Sequence, residues 1–346
     1  MDEGRWKGKV YAELEERISF MAAGINRCTA GRLRQVGMPI LLWSCLLLSF
    51  APTVSAFGAV RIIGIKFLFN ITGDFSEPSD VAVSGDGRIY VVDGVNGRIK
   101  VFTSNGKAQA SFGETGGGDG EFNFPLGIDV DDSGKIYVAD SGNHRVQIFD
   151  RDGGFVSGID LPGRGVKPAD PTDVAVDETR NRLYVVDNDN HRYLAYDLST
   201  SKLIADVGGP GEQELMFRYP FFLALNREGY LNIVDVINTR VQVVNPDGLF
   251  VTYISGWGVG AGQVFRPKGV AVDRRDRVYV SDSYMGVIQV FDSWGELQGV
   301  LGDADTSTVG RFRTPVGLCI DARDRLYVVE MLANRVSVYG IGAEGE

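Results

Sequence analysis

The chain is predicted to be all-β: a six-bladed β-propeller of four-stranded antiparallel blades, closed by an N-terminal strand that completes the last blade. Three observations predict it. The stretch 125–149, PLGIDVDDSGKIYVADSGNHRVQIF, is rewritten along the chain, its opening proline recurring at Pro78, Pro125, Pro171, Pro220, Pro267 and Pro315, with spacings of 47, 46, 49, 47 and 48 residues. Self-similarity at that period marks a repeat architecture. Each repeat carries four short runs of β-forming residues, the composition of one propeller blade. Beyond residue 57 no 3.6-residue periodicity is sustained, which excludes a helical solenoid.

In the first repeat the expected strands are 80–83, 89–92, 99–102 and 108–112. Gly85-Asp86-Gly87 and Asp131-Asp132-Ser133-Gly134 turn first strand into second. Ser104-Asn105-Gly106, Arg151-Asp152-Gly153, Pro246-Asp247-Gly248 and Ser293-Trp294-Gly295 turn third into fourth, with Asn-Gly and Asp-Gly pairs supplying positive φ. The sixth repeat stops after its third strand, 335–339, while an orphan strand at 66–71 precedes the first repeat. Pairing the two leaves no unpaired edge at the seam. Phe75, Phe122, Pro168, Phe217, Val264 and Phe312 stand three residues before the opening prolines and are expected to wedge between blades. The glycine-rich linkers 112–125, 208–220 and 256–267 join strand to strand, so no helix dipole makes them phosphate loops.

The formal charge of the chain is −10. Residues 1–56 hold seven Lys or Arg against five Asp or Glu, which leaves 28 against 40, or −12, for the rest. So acidic a chain repels phosphate backbones, which argues against a nucleic-acid partner. Cys28 and Cys45 lie in the N-terminal region, so the folded part has a single thiol, Cys319, expected as a small buried hydrophobe. Residues 1–56 are assigned to an N-terminal extension and secretory signal, and residues 57–346 to the propeller. Arg27, Arg32 and Arg34 precede the apolar run 40–50, and Val54-Ser55-Ala56 has the form of a cleavage site. The run is short of the ~20 residues that span hydrocarbon, so membrane contact is expected only in transit. Trp43-Ser44 before Cys45 does not suit lipidation, and translation is expected to start at Met21 or Met38. The predicted location is periplasmic or extracellular.

The third strand of each repeat opens on a triplet: Asn96-Gly97-Arg98, Asn143-His144-Arg145, Asn190-His191-Arg192, Asn238-Thr239-Arg240, Met285-Gly286-Val287 and Asn334-Arg335. With the YVVD-like strands and glycine-rich linkers, these triplets make residues 60–340 resemble the NHL-repeat family, whose members are six-bladed propellers. WD-repeat proteins are disfavoured by the absence of their Gly-His and Trp-Asp pairs. The resemblance implies one enzymatic class, zinc-dependent peptide-amidating lyases of the same propeller type, which use several histidines. Here His144 and His191 are the only two in the chain, too few for that site. No Gly-x-Ser-x-Gly nucleophile elbow occurs either, and no catalytic residue is assigned.

Second strands close on Asp93, Asp140, Asp187, Asp235, Asp282 and Glu330, mostly followed five residues later by an arginine. The recurrence makes them structural acids, each paired within its own loop. Asp80 and Asp173, in matching Pro-x-Asp positions, are the candidate metal ligands at the channel rim, with calcium the cation such oxygen donors suit. Gly127, Gly269 and Gly317 at the equivalent place leave most of that ring uncharged. Departures from the repeat are more informative. The face carrying the second-to-third strand loops and the linkers is polar over repeats one to three. Over repeats four to six it carries Phe221, Phe222, Ile237, Trp257, Tyr284, Met285, Met331 and Leu332, the composition of a binding surface. Phe221 and Phe222 have a second reading, as a plug in the channel. The expected function is a non-catalytic, exported, monomeric propeller that recognises a protein, peptide or glycan through this face and needs no cofactor. The alternative is a calcium-type hydrolase or lyase acting at the channel mouth.

Overall fold

The computed structural model describes residues 60–303 and 306–342; the expected signal segment, Cys28 and Cys45 lie outside them. The described residues are strands and turns, with two one-turn 3₁₀ helices, Ser141–Asn143 and Met331–Ala333. Each repeat forms the strands its sequence called for. In the second these are Pro125–Val130, Ile136–Asp140, Arg145–Phe149 and Phe155–Asp160, hydrogen-bonded antiparallel in chain order. The first, third and fourth repeats build four-stranded sheets of the same order.

The remaining two repeats share one nine-stranded sheet, whose link is the strand Ile62–Thr72. It pairs antiparallel with Arg335–Ile341, Lys66 facing Gly340 and Ile71 facing Val336, with a bulge between Phe67 and Phe69. Its first residues, ahead of the expected start at 66, also pair parallel with Leu297–Asp303, Ile62 facing Val300. The first strand of each repeat touches that of the next, and the first strand of repeat one touches that of repeat six.

Hydrophobic layers lie between neighbouring sheets. Phe122 joins Val92 and Ile99 of the first repeat to Ile136 and Val138 of the second, and its ring sits 5.4 Å from that of Phe149. Phe75, Phe217, Val264 and Phe312 are buried as the repeat predicts. Burying a phenylalanine in this way stabilises by roughly 2–3 kcal/mol. Pro168 departs from the expectation: it is exposed, and Leu161 with Ala169 fills the gap between the second and third sheets. That linker is folded on itself by an Arg164–Lys167 bridge, which re-aims the residue before its proline.

The first-to-second turns are held by their opening acid. Asp131 accepts from the Ser133 hydroxyl and the Lys135 N–H, and from the Tyr137 hydroxyl at 3.1 Å. Tyr279 with Asp273 and Tyr327 with Asp321 repeat that last bond. These turns stand at the opposite end of the sheets from the opening prolines, because Pro125 pairs with Asp140 and Val130 with Ile136.

Candidate functional site

The acids that close the second strands are the most buried polar groups of the loop face. Asp140 accepts from the Asn123 N–H at 2.8 Å, Asn143 Nδ2 at 2.9 Å, Arg145 Nε at 2.9 Å and Gln147 Nε2 at 3.0 Å. Asp235 repeats the set with Arg218 N–H, Asn238, Arg240 and Gln242. Asp282 stands where the triplet is lost: it keeps the linker N–H, from Phe265, and backbone N–H groups of Tyr284 and Met285 replace the side-chain donors. Carboxylates so occupied hold their own loops. Among the described residues, no three His, Cys, Asp or Glu side chains converge as metal ligands.

The triplet histidines serve the same loops. His144 and His191 take left-handed φ values of 61° and 57°, as do Gly97, Thr239, Gly286 and Asn334 at the matching positions. His144 Nδ1 faces the Ala169 carbonyl, and the Ser141 hydroxyl donates to Asp170. Serine, histidine and acid are thus neighbours without the serine-to-histidine bond of a nucleophile. Burial raises Asp170 to about 6, with Ser141's hydrogen bond opposing and Asp189 adding to the rise. His191 Nδ1 accepts the Tyr219 N–H at 3.0 Å, and burial, then Lys167, lowers its pKa to about 4. It is a neutral acceptor.

Asp80 and Asp173 lie on the channel wall, both buried. Asp80 Oδ2 accepts the Ile128 N–H at 3.0 Å, and Asp173 Oδ2 accepts the Leu223 N–H at 2.8 Å. Each carboxyl therefore clasps the first strand of the next repeat. Asp129, which the sequence did not single out, does the same with the Val176 N–H at 2.8 Å. The glycines at the equivalent positions have a steric cause: a Cβ on Gly127 would lie 2.3 Å from Asp173 Oδ1, and one on Gly317 2.4 Å from Asp80 Oδ1. Burial pushes Asp80 and Asp173 well above the usual carboxylate range, Asp80's charge adding to the rise at Asp173; burial also raises Asp129 to about 6. All three face a cavity of about 460 Å³ that ends at Asp132, Glu178 and Arg227 on the turn side. Cys319 lines it too, so it is half-buried at the channel rather than deep in the core as expected.

The eight surface candidates divide. Trp257, Tyr284 and Leu332 are 60%, 66% and 58% exposed, and Met285 and Met331 are half-buried beside them. Phe221, Phe222 and Ile237 are buried and cannot offer surface, which corrects that part of the expectation. Phe221 and Phe222 meet edge to face at 4.8 Å. Phe222 faces the cavity, where other repeats have glycine or aspartate, so bulk fills what small residues leave open. Phe222 is placed as the plug reading expects, whereas Phe221 is buried without lining the cavity.

Sequence reasoning missed the cations that accompany the aromatics. The Arg266 guanidinium lies 5.6 Å from the Tyr284 ring centre, and Phe265 meets the same ring at 4.9 Å. The Lys268 ammonium stands 3.9 Å from the Phe221 ring centre; burial, then Arg266, lowers its pKa to about 8. Arg311 Nη1 donates to the Met285 carbonyl at 3.0 Å. Backbone bonds make the surface continuous: Ser283 N–H to Arg266 O at 2.9 Å, Phe312 N–H to Gly286 O at 2.9 Å and Met331 N–H to Thr314 O at 3.2 Å. The available signal was positional, since these cations flank the opening prolines of repeats five and six.

The NHL repeat family model matches residues 75–102, 122–149 and 169–192. No curated protein matches the chain. Among solved structures, a streptogramin B lyase superposes with a TM-score of 0.58 at 13% identity, over 80% of this chain and 98% of the other. A virginiamycin B lyase from Staphylococcus aureus, bound to quinupristin, gives 0.57 at 14% identity, over 80% and 89%. A gluconolactonase from Xanthomonas campestris gives 0.59 at 16% identity, over 79% and 88%. At these identities the likeness is one of fold.

Proposed function

Starting from a chain built on NHL repeats, we propose a six-bladed propeller, closed by Ile62–Thr72, that is exported and binds a protein, peptide or glycan on its loop face without catalysing a reaction. The cyclic contacts of the first strands and the pairing of Ile62–Thr72 with Arg335–Ile341 support the blade count and closure. One observation carries the binding role: Trp257, Tyr284 and Leu332 are exposed on the linkers and loops of repeats five and six, where the fifth also loses its triplet. Large aromatics left in solvent beside arginines have the composition of recognition surfaces. The acids and histidines that would have to perform chemistry are instead taken up by loop backbone and neighbouring side chains. Replacing Trp257, Tyr284 and Leu332 together with Ser is expected to leave the melting temperature unchanged. It should weaken capture of ligand from the envelope fraction or the culture medium at least tenfold. Capture undiminished by the triple replacement would overturn the proposal.

A second reading is kept because the chain shares its fold with lyases and a gluconolactonase. It places a calcium-assisted hydrolase or lyase at the channel, with Asp80 and Asp173 as ligands. Both carboxyls already hold backbone N–H groups, and burial favours their neutral form. The two readings part on metal content: a binding propeller melts at the same temperature with EDTA as with calcium, whereas a calcium enzyme gains stability from its ion.

A further inference from the structure

The loop face is divided by charge as well as by polarity, in a way the net charge of the chain conceals. In the linkers entering the first and second repeats stand Asp74, Glu77, Glu114, Asp119 and Glu121, and no lysine or arginine. The linker entering the fifth repeat, residues 256–266, contains no acid and ends on Arg266, with Lys268 two residues beyond. The linker entering the sixth has Asp303 and Asp305 at its start, and Arg311 and Arg313, both exposed, at the end that meets the loops. The loops 283–286 and 331–334, which lie between them, carry no charge of either sign. The acids that close those two sheets, Asp282 and Glu330, are buried and held by backbone N–H groups from the linkers. A chain twelve charges below neutral beyond residue 56 thus sets Arg266 beside the exposed Tyr284 ring and Arg311 on the Met285 carbonyl.

Resting on the binding function proposed above, we propose that this sector recognises an acidic peptide segment of a protein partner, one carrying apolar side chains among its carboxylates. Charge complementarity selects the sign. Arg266 beside the Tyr284 ring and Arg311 on the Met285 carbonyl border the apolar residues as a polar rim borders an interface core, and Arg313 is exposed on the same linker as Arg311. Lys268, half-buried against the Phe221 ring, adds positive charge behind them. The apolar residues select the class. Leu332, Met285 and Met331 offer aliphatic and thioether contacts suited to peptide side chains, whereas a sugar ring would use only the flat faces of Trp257 and Tyr284. Arginines at the rim set the on-rate and salt dependence; the buried aromatic contacts set the residence time.

The test is selection from a random dodecapeptide display library on three immobilised proteins: wild type, Arg313→Glu with Arg311→Glu, and Trp257→Ser with Tyr284→Ser. Equal melting temperatures establish that each is folded, and Arg313→Glu alone serves if loss of the Arg311–Met285 contact disturbs the loop. Wild type is expected to enrich peptides rich in Asp and Glu with Leu, Phe or Met between them. Their affinity should fall at least tenfold between 50 and 300 mM salt. Charge reversal should abolish those peptides and enrich basic ones. Neutral or basic peptides on wild type, lost with Trp257→Ser and Tyr284→Ser, would overturn the acidic inference and leave the binding face standing. Peptides retained by the serine variant would overturn the binding face itself. No enrichment on wild type, with binding to uronate oligosaccharides on a glycan array, would overturn the peptide assignment.

Discussion

Replacing Asp187 with Ala tests whether the recurrent acids are scaffold. Its carboxylate accepts the Asp170 N–H at 2.9 Å, Asn190 Nδ2 at 3.0 and 3.1 Å, and Arg192 Nε at 2.8 Å. The Arg192 side chain is 2% exposed, so the change leaves a guanidinium in the interior with Asp206 as its remaining carboxylate. Breaking a buried pair in this way costs roughly 3–5 kcal/mol. The surviving contact with Asp206 lowers the figure, while the stranded amide of Asn190 and N–H of Asp170 raise it, giving about 4 kcal/mol. For a domain of this size that is a fall of about 10 °C in melting temperature. In the first repeat the same change at Asp93 frees Arg98, which is 26% exposed and keeps Asp74, and costs about 2 kcal/mol. Urea titration followed by circular dichroism measures both. A ring of metal-binding carboxylates predicts the reverse, since deleting one acid from an empty ring relieves repulsion. A cost below about 1 kcal/mol at Asp187, or a larger cost at Asp93, refutes the scaffold assignment.

Two other perturbations probe the channel and the seam. Asp80 and Asp173 have raised pKa values in the folded protein. The stability of their protonated forms is therefore full below the ordinary carboxylate value near pH 4 and is lost as pH rises through the raised values. Asp173→Asn cannot release a proton, so its melting temperature relative to wild type should climb steadily from pH 4 to 8; a difference that shrinks over that range contradicts the shift. Ile71 is fully buried on the closing strand, while Phe67 on the same strand is 53% exposed. Ile71→Ala should lower stability by about 3 kcal/mol in a denaturant titration and Phe67→Ala by less than about 1 kcal/mol, whereas equal small effects would mean that the strand is not integral to the fold.

Architecture was legible because it is written several times over. Period, turn chemistry and strand alternation act over a few residues and need no knowledge of distant partners, which is why the first repeat has its strands within a residue of the expected places. The seam was legible from a deficit, one strand missing after 335–339 and one spare before Pro78. Pro168 was misread because the repeat fixes a position along the chain and not its direction, and the Arg164–Lys167 bridge turns that linker. Asp129 was missed for a related reason. Its clasp on the Val176 N–H joins residues 47 apart, and nothing local distinguishes it from a solvent-facing acid on an alternating strand.

The candidate site shows where reading by departure from a repeat succeeds and where it stops. Losing the triplet at Met285-Gly286-Val287 changes how that loop is held, because Asp282 must be satisfied in another way, and the backbone N–H groups of Tyr284 and Met285 do so. That exchange releases the side chains of Tyr284 and Met285 from holding the loop. Phe221 and Phe222 depart from the repeat just as sharply, yet both are buried, and Phe222 lines the channel. Apolar character alone does not separate a plug from a docking surface; position relative to the channel axis does, and only the folded ring supplies it. Charge separates them further. Cations collect around Tyr284 and the exposed loops of repeats five and six, while the acids gather along the channel wall and the opposite linkers. The protein thereby keeps a strongly negative total charge while exposed arginines border the loops of repeats five and six.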